Sequence, residues 1–206
     1  MTSHEFTCQE DLIAGVDEVG RGALFGMVVT AAVILPKTAI IDCQNWGIKD
    51  SKKLSARRRE LLVPQIQQAA IAYNIGVATV AEIDDLNILQ ATLLAMRRAI
   101  MGLAITPELC LIDGNKSISD LAIPQQTLIK GEDKSVSIAA ASILAKVWRD
   151  RLTIELAEIY PMYHLAKNKG YGTAQHLMAI EKYGITPEHR QSFSPCQGRA
   201  IRVSLP

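Results

Sequence analysis

In three places in this 206-residue chain, acidic side chains stand where an apolar stretch ends or a helix begins. Leu12-Ile13-Ala14-Gly15-Val16 runs into Asp17-Glu18. Cys110-Leu111-Ile112 runs into Asp113. Glu132-Asp133 sits between a short strand-like stretch and a long helical one. In a sheet-based fold, strand ends collect at one edge, where sites form. Two carboxylates about 4 Å apart repel by roughly 4 kcal/mol at an effective dielectric of 20. Three or four gathered together therefore need protons or a cation. Oxygen-only ligands select hard ions such as Mg²⁺ or Mn²⁺ over Zn²⁺. Each group also has a plainer reading: a solvated strand end for Asp17-Glu18, a turn residue for Asp113 before Gly114, helix-start acids for Glu132-Asp133. Neighbours in a regular strand point to opposite faces. Asp17 and Glu18 are thus expected to share an ion only if the strand is irregular there, which Gly20 and Gly22 permit.

The local charge pattern adds to this. Residues 49–59 hold six Lys or Arg against Asp50, a net of +5, and residues 160–206 hold six against Glu181 and Glu188, a net of +4. Two basic segments with a carboxylate cluster elsewhere suit a polyanion held across a metal centre, although a charge run alone is more often a solvated face. The second segment interleaves aromatics, with Tyr171 between Gly170 and Gly172. An aromatic in a basic loop can stack on a base or sugar; the plainer reading is a tyrosine anchoring a loop. Gly20-Arg21-Gly22-Ala23-Leu24-Phe25-Gly26 is not a dinucleotide fingerprint, because a strand-like Val-Val-Thr-Ala-Ala-Val follows where a helix must open. No GxxxxGK[ST], GxSxG or HExxH occurs. The four histidines are read as surface or phosphate-near residues.

The elements that must position these groups follow from periodicity. Strands are expected over residues 12–17, 26–35 (buried on both faces), 73–80, 110–113 and 125–129. Helices are expected from Ser55 to about Tyr73, with a kink or split at Pro64, and over about 86–102, 134–159 and 173–183. A hairpin followed by alternation predicts an α/β protein with a mixed central sheet flanked by helices, and the tail beyond Tyr160 reads as a helical appendage. Apolar residues make up 49% and charged residues 21%, with a formal charge of +1, an ordinary globular balance. The longest uncharged apolar stretch, 23–35, is 13 residues, against about 20 for a membrane helix. No signal peptide is evident. Four widely spaced cysteines (Cys8, Cys43, Cys110, Cys196) without a CxxC pair suggest reduced thiols and a cytoplasmic setting.

Taken together, the chain resembles the ribonuclease HII family. The matching pieces are Gly15-Val16-Asp17-Glu18-Val19-Gly20-Arg21-Gly22, Asp50-Ser51-Lys52-Lys53-Leu54-Ser55, Asp113-Gly114-Asn115, the run Ile138–Asp150, Lys169-Gly170-Tyr171-Gly172-Thr173 and His189-Arg190-Gln191-Ser192-Phe193, in the family's order. The resemblance implies a ribonuclease H-like fold, with residues 1–160 as the catalytic domain and 161–206 as a C-terminal helical extension packed on it. It implies an endonuclease that cuts RNA paired with DNA, and single ribonucleotides embedded in duplex DNA, leaving 3′-hydroxyl and 5′-phosphate ends. Mg²⁺ or Mn²⁺ would be the cofactor, nucleic acid the partner, and a monomer the acting form. By position, Asp17, Glu18 and Asp113 would be metal ligands and catalytic carboxylates. The backbone of Gly20, Arg21 and Gly22 would meet the ribose 2′-hydroxyl, Tyr171 would pack on the sugar, and Lys146 and Arg190 would contact phosphates. Where the family usually has Lys-Gly-Asp, this chain has Lys130-Gly131-Glu132 followed by Asp133. Either acid could be the fourth carboxylate, and alignment favours Glu132. The short leader before Asp17 sets aside ribonuclease HIII. A hybrid-binding protein without catalysis is the alternative on the same fold.

Overall fold

The computed structural model describes residues 12–48 and 53–202. Its framework is a five-stranded mixed sheet in the order β3-β2-β1-β4-β5, made of β1 (Ile13–Val19), β2 (Val28–Ile34), β3 (Ala72–Ala78), β4 (Leu109–Asp113) and β5 (Gln125–Leu128). The first three strands pair antiparallel, and β4 and β5 join β1 in parallel. Helices cover both faces, and this explains why every residue of β2 is buried. Val29, Ala31 and Val33 pack toward α2 (Ala56–Ala69) and α5 (Val136–Ile159). Ala32 and Ile34 pack toward α4 (Ile88–Met101).

The long helix α5 crosses the sheet at very short range. Its Ala139-Ala140-Ala141 run is fully buried, and a methyl group added to Gly15 of β1 would sit 2.2 Å from the Ile138 nitrogen. Only glycine fits where helix and strand backbones touch. Ser135 caps this helix by accepting the Ile138 N–H.

Several expectations are corrected. Residues 37–45, left unassigned above, form helix α1 (Lys37–Asn45) directly after Pro36. Its β-branched Thr38, Ile40 and Ile41 hide a helical pattern. The helix expected from residue 86 is two helices. A capping box of Thr79 and Glu82 starts α3 (Val80–Leu86), and Asn87, at φ 72°, caps α4 by accepting the Leu89 and Gln90 N–H groups. Pro64 does not split α2. It lies on the exposed face, where the carbonyl left unpaired one turn back can be hydrated. Residues 49–52, part of the basic loop, lie outside the described residues.

Beyond α5, Tyr160, Tyr163, Leu165, Ile180 and Ile185 build a separate apolar cluster around Leu24 and Phe25. Helices α6 (Leu165–Asn168) and α7 (Ala174–Tyr183) belong to this region. Among the described residues no helix is long and apolar enough to cross a membrane, and Cys43, Cys110 and Cys196 are free.

Gly15→Ala should destabilise the fold by about 3 kcal/mol, the upper range for overpacking a tight core. Urea unfolding of the variant against the native chain checks this, and an unchanged midpoint would show that the helix–strand contact can yield.

Candidate metal centre and substrate cleft

The sheet register assembles the acidic cluster. In the parallel pair, Val16 stands opposite Ile112, so one step further Asp17 and Asp113 leave the same end of the sheet side by side. Asp17 shares its strand face with Gly15 and therefore points toward α5, where the Ser142 hydroxyl donates to its carboxylate. The Asp113 Oδ1 accepts the Gly131 N–H at 2.7 Å, which draws a short 3₁₀ turn, residues 131–133, against the strand end. Glu132 of that turn is buried and Asp133 is exposed.

Asp17, Glu18 and Asp113 each offer an oxygen within 4.8 Å of the others. The expected break in the strand is absent, since β1 pairs regularly with β2 through Val19. Instead the Asp17 carboxylate folds back along its own strand and accepts the Glu18 N–H at 2.7 Å. Glu132 shares with Asp17 and Glu18 a cavity of about 310 Å³, lined also by Arg59, Ser142, Lys146 and Tyr171.

The electrostatics are those of a site short of positive charge. Asp17 is only 3% exposed. Burial pushes its pKa well above the usual carboxylate range, Glu18, Asp113 and Glu132 push it further, and the Ser142 hydrogen bond opposes them. The donors are all carboxylate oxygens, which suits a hard divalent cation. The group fits such an ion in chemistry, and the ion would relieve the repulsion.

The comparisons with known proteins decide the family. The model described as Ribonuclease HII matches residues 14–196. The chain belongs to the ribonuclease HII family. The Ribonuclease HII of Trichormus variabilis is 60% identical over 186 residues, covering 90% of this chain and 83% of that one. Ribonuclease H2 from Pyrococcus horikoshii has a similar crystal structure, with a TM-score of 0.73 and 25% identity over 89% of this chain and 94% of that one. Bst-RNase HIII in complex with Mn²⁺ shares the fold, with a TM-score of 0.72 at 21% identity, over 90% of this chain and 68% of that one. The chain is thus a metal-dependent endoribonuclease acting on nucleic acid, and the non-catalytic alternative falls away.

The other expected ribonuclease HII site residues divide into two groups. Gly20, Arg21 and Gly22 follow directly on the cleft-lining residues 17–19; Arg21 reaches Glu18 at 3.4 Å, and a Cβ at Gly22 would lie 4.0 Å from the Tyr171 ring. Tyr171 faces them across a bridge to Ala23. Lys146 lines the cavity, pairs with Asp150 at 2.8 Å and stands 5.9 Å from the centre of the Tyr171 ring. Arg190 departs from expectation. It is fully buried, its Nε and Nη1 donate to the carbonyls of Gly26 and Arg21, and its Nη2 has no hydrogen-bond partner among the described residues. Ser142 and Arg149 were not singled out. The signal lay in the polar series 142, 146, 149 along one face of a helix whose neighbours are mostly apolar.

His176 and His189 also depart from expectation, being fully buried rather than at the surface. Their tautomers are fixed by their partners. The Thr186 N–H donates to His189 Nδ1 at 3.0 Å, leaving the proton on Nε2. That proton is donated to His176 Nε2 at 3.2 Å, and His176 Nδ1–H donates to the Tyr171 carbonyl at 3.0 Å. This chain of bonds runs within the C-terminal extension, from Thr186 to the backbone of Tyr171, and requires both rings neutral. Burial pushes His176 down and pushes His189 down to about 3, with His176 adding to the latter.

Two outcomes are expected. Groups with lowered folded pKa contribute stability above their unfolded value, near 6.5, and lose it as pH falls. Unfolding free energy should therefore drop by about 2 kcal/mol between pH 7 and pH 5 through His189; a His189→Gln variant should lose that part of the slope. In EDTA at pH 8, Asp17→Asn should raise stability by roughly 1 kcal/mol, because it removes a buried charge that three carboxylates repel. Chemical denaturation of both proteins checks the sign.

Proposed function

We propose that this protein hydrolyses the RNA strand of RNA–DNA hybrids and cuts at single ribonucleotides embedded in duplex DNA. The products carry 3′-hydroxyl and 5′-phosphate ends. The observation that carries this reading is the convergence of Asp17, Glu18 and Asp113 within 4.8 Å, beside a cleft lined by Tyr171 and adjoined by the Gly20-Arg21-Gly22 turn. Asp17, Glu18 and Asp113 would hold Mg²⁺ or Mn²⁺, with Glu132 completing the negative wall. Two such ions, when bound, lower the pKa of an attacking water and neutralise charge on the leaving oxygen.

The chain's own groups do the rest. Ser142 orients the Asp17 carboxylate. Lys146 stands where a phosphate of the cut strand can replace Asp150 as its partner. Tyr171 offers its ring to the sugar beside the cut. The backbone at residues 20–22 meets the ribose, since a 2′-hydroxyl both donates and accepts and main-chain N–H and C=O groups can match it. The absence of large side chains at Gly20 and Gly22 lets them approach. Contacts to phosphate and sugar carry no base information, so cutting should be indifferent to sequence. The extension beyond residue 160 packs on the catalytic domain and completes this cleft, and the protein acts in the cytoplasm as a monomer.

A DNA duplex bearing one ribonucleotide tests the reading. It should be cut in Mg²⁺ or Mn²⁺, left whole in EDTA, and an all-DNA duplex should never be cut. Asp17→Asn and Asp113→Asn should each lower the rate by about a hundredfold or more, the scale of losing an electrostatic stabiliser in a water-excluded site. Metal-independent cutting would overturn it.

A further inference from the structure

Residues 20–27 carry the glycines assigned to the ribose, yet among the described residues their strand pairing with the rest of the chain is limited to isolated bridges. On one side the Leu24 N–H donates to the Gly170 carbonyl at 2.8 Å. On the other, the Gly26 N–H donates to Glu188 at 2.8 Å and the Arg190 N–H to Leu24 at 2.9 Å. These bonds leave most of the segment's carbonyls to be satisfied by other donors.

Two buried guanidinium groups supply them. Arg149, 1% exposed, reaches from α5 and donates to Phe25 at 2.9 Å, to Met27 at 3.2 Å and to Lys169 at 2.9 Å. Arg190, 0% exposed, donates to Gly26 and to Arg21, both at 2.9 Å. Two side chains thus hold the carbonyls of residues 21, 25, 26 and 27, and that of residue 169 next to the Gly170-Tyr171 turn. Gly20, at φ +90°, lies against the same group, since a Cβ there would fall 2.2 Å from Arg149 Nε. Neither arginine forms an ion pair with a carboxylate among the described residues. Burying two like charges side by side is a poor way to gain stability, and apolar side chains of similar volume do it better. What the arrangement achieves is a fixed main chain.

We propose that Arg149 and Arg190 are positioning residues for ribose selectivity. They lock the backbone of residues 20–27 and the turn at residues 169–171 into the shape that meets the 2′-hydroxyl, without touching substrate or metal. The inference rests on the ribose-reading role given above to residues 20–22. Asp84 supports it from α3, accepting the Gln191 N–H at 3.0 Å, the Ser192 N–H at 2.9 Å and the Ser192 hydroxyl at 2.6 Å, and so anchors the segment that carries Arg190.

The test compares KM for a duplex with one ribonucleotide with the Ki of an all-DNA duplex of the same sequence as competitor. Arg149→Lys and Arg190→Lys should each raise KM by about tenfold, the cost of losing hydrogen bonds from a charged donor, while leaving Ki unchanged. Asp84→Ala should do the same to a smaller extent. Mn²⁺ binding by calorimetry should match the native chain, whereas general damage would weaken metal binding, KM and Ki together. If the lysine variants fail to fold, Asp84→Ala decides on the same ratio. An unchanged ratio of Ki to KM in variants of a cutting enzyme overturns the positioning role alone. A native chain that does not cut the one-ribonucleotide duplex overturns the ribose reading and this inference with it.

Discussion

Like charges gathered at one end of a sheet are the constraint on which the rest of the molecule turns. The parallel register of β1 and β4 leaves Asp17 and Asp113 adjacent, and the bond from Gly131 to Asp113 brings Glu132 up beside them. Asp17 in particular is buried among carboxylates, with its pKa raised. A fold keeps such a cluster only if packing elsewhere outweighs the repulsion, or if a cation joins it. The contact of α5 on β1, close where Gly15 meets the backbone of residues 137 and 138 beside the buried alanine run, is packing that opposes the repulsion.

The same helix reaches both the carboxylate cluster and the turn at residues 20–27. Ser142 on α5 addresses Asp17, Lys146 lines the cavity, and Arg149 grips the main chain of that turn. One rigid element thereby sets the distance between the carboxylates and the turn opposite them. The C-terminal extension supplies the other half of the grip. Arg190 holds the turn from below, and His189 and His176 hold the carbonyl of Tyr171. The tail is therefore structural support for the cleft as well as part of its wall.

Much of this was legible in the residues. Strands β1 and β4 announced themselves through apolar runs leading into acids, and β2 through a run apolar on both faces. The long helix was marked by its alanines, and α7 by Thr173 and Gly184 at its ends. Three acids at separated strand or turn ends were enough to point to a hard cation. Three things were hidden, each for a physical reason. Helix α1 is short and rich in β-branched residues, so its propensity argues against it. The split between α3 and α4 depends on one asparagine at positive φ, a conformation that composition does not display. The fates of Arg190, His176 and His189 depend on burial by residues far away in sequence, and a charged or titratable side chain reads as exposed until the packing is seen.

The most direct measurement is anomalous scattering at the manganese edge from crystals of this protein grown with Mn²⁺. The account requires density between the carboxylates of Asp17, Glu18 and Asp113, at direct coordination distance from their oxygens, and its loss in Asp113→Asn. Manganese bound only elsewhere, or a cluster that stays intact and ion-free at saturating Mn²⁺, would contradict it.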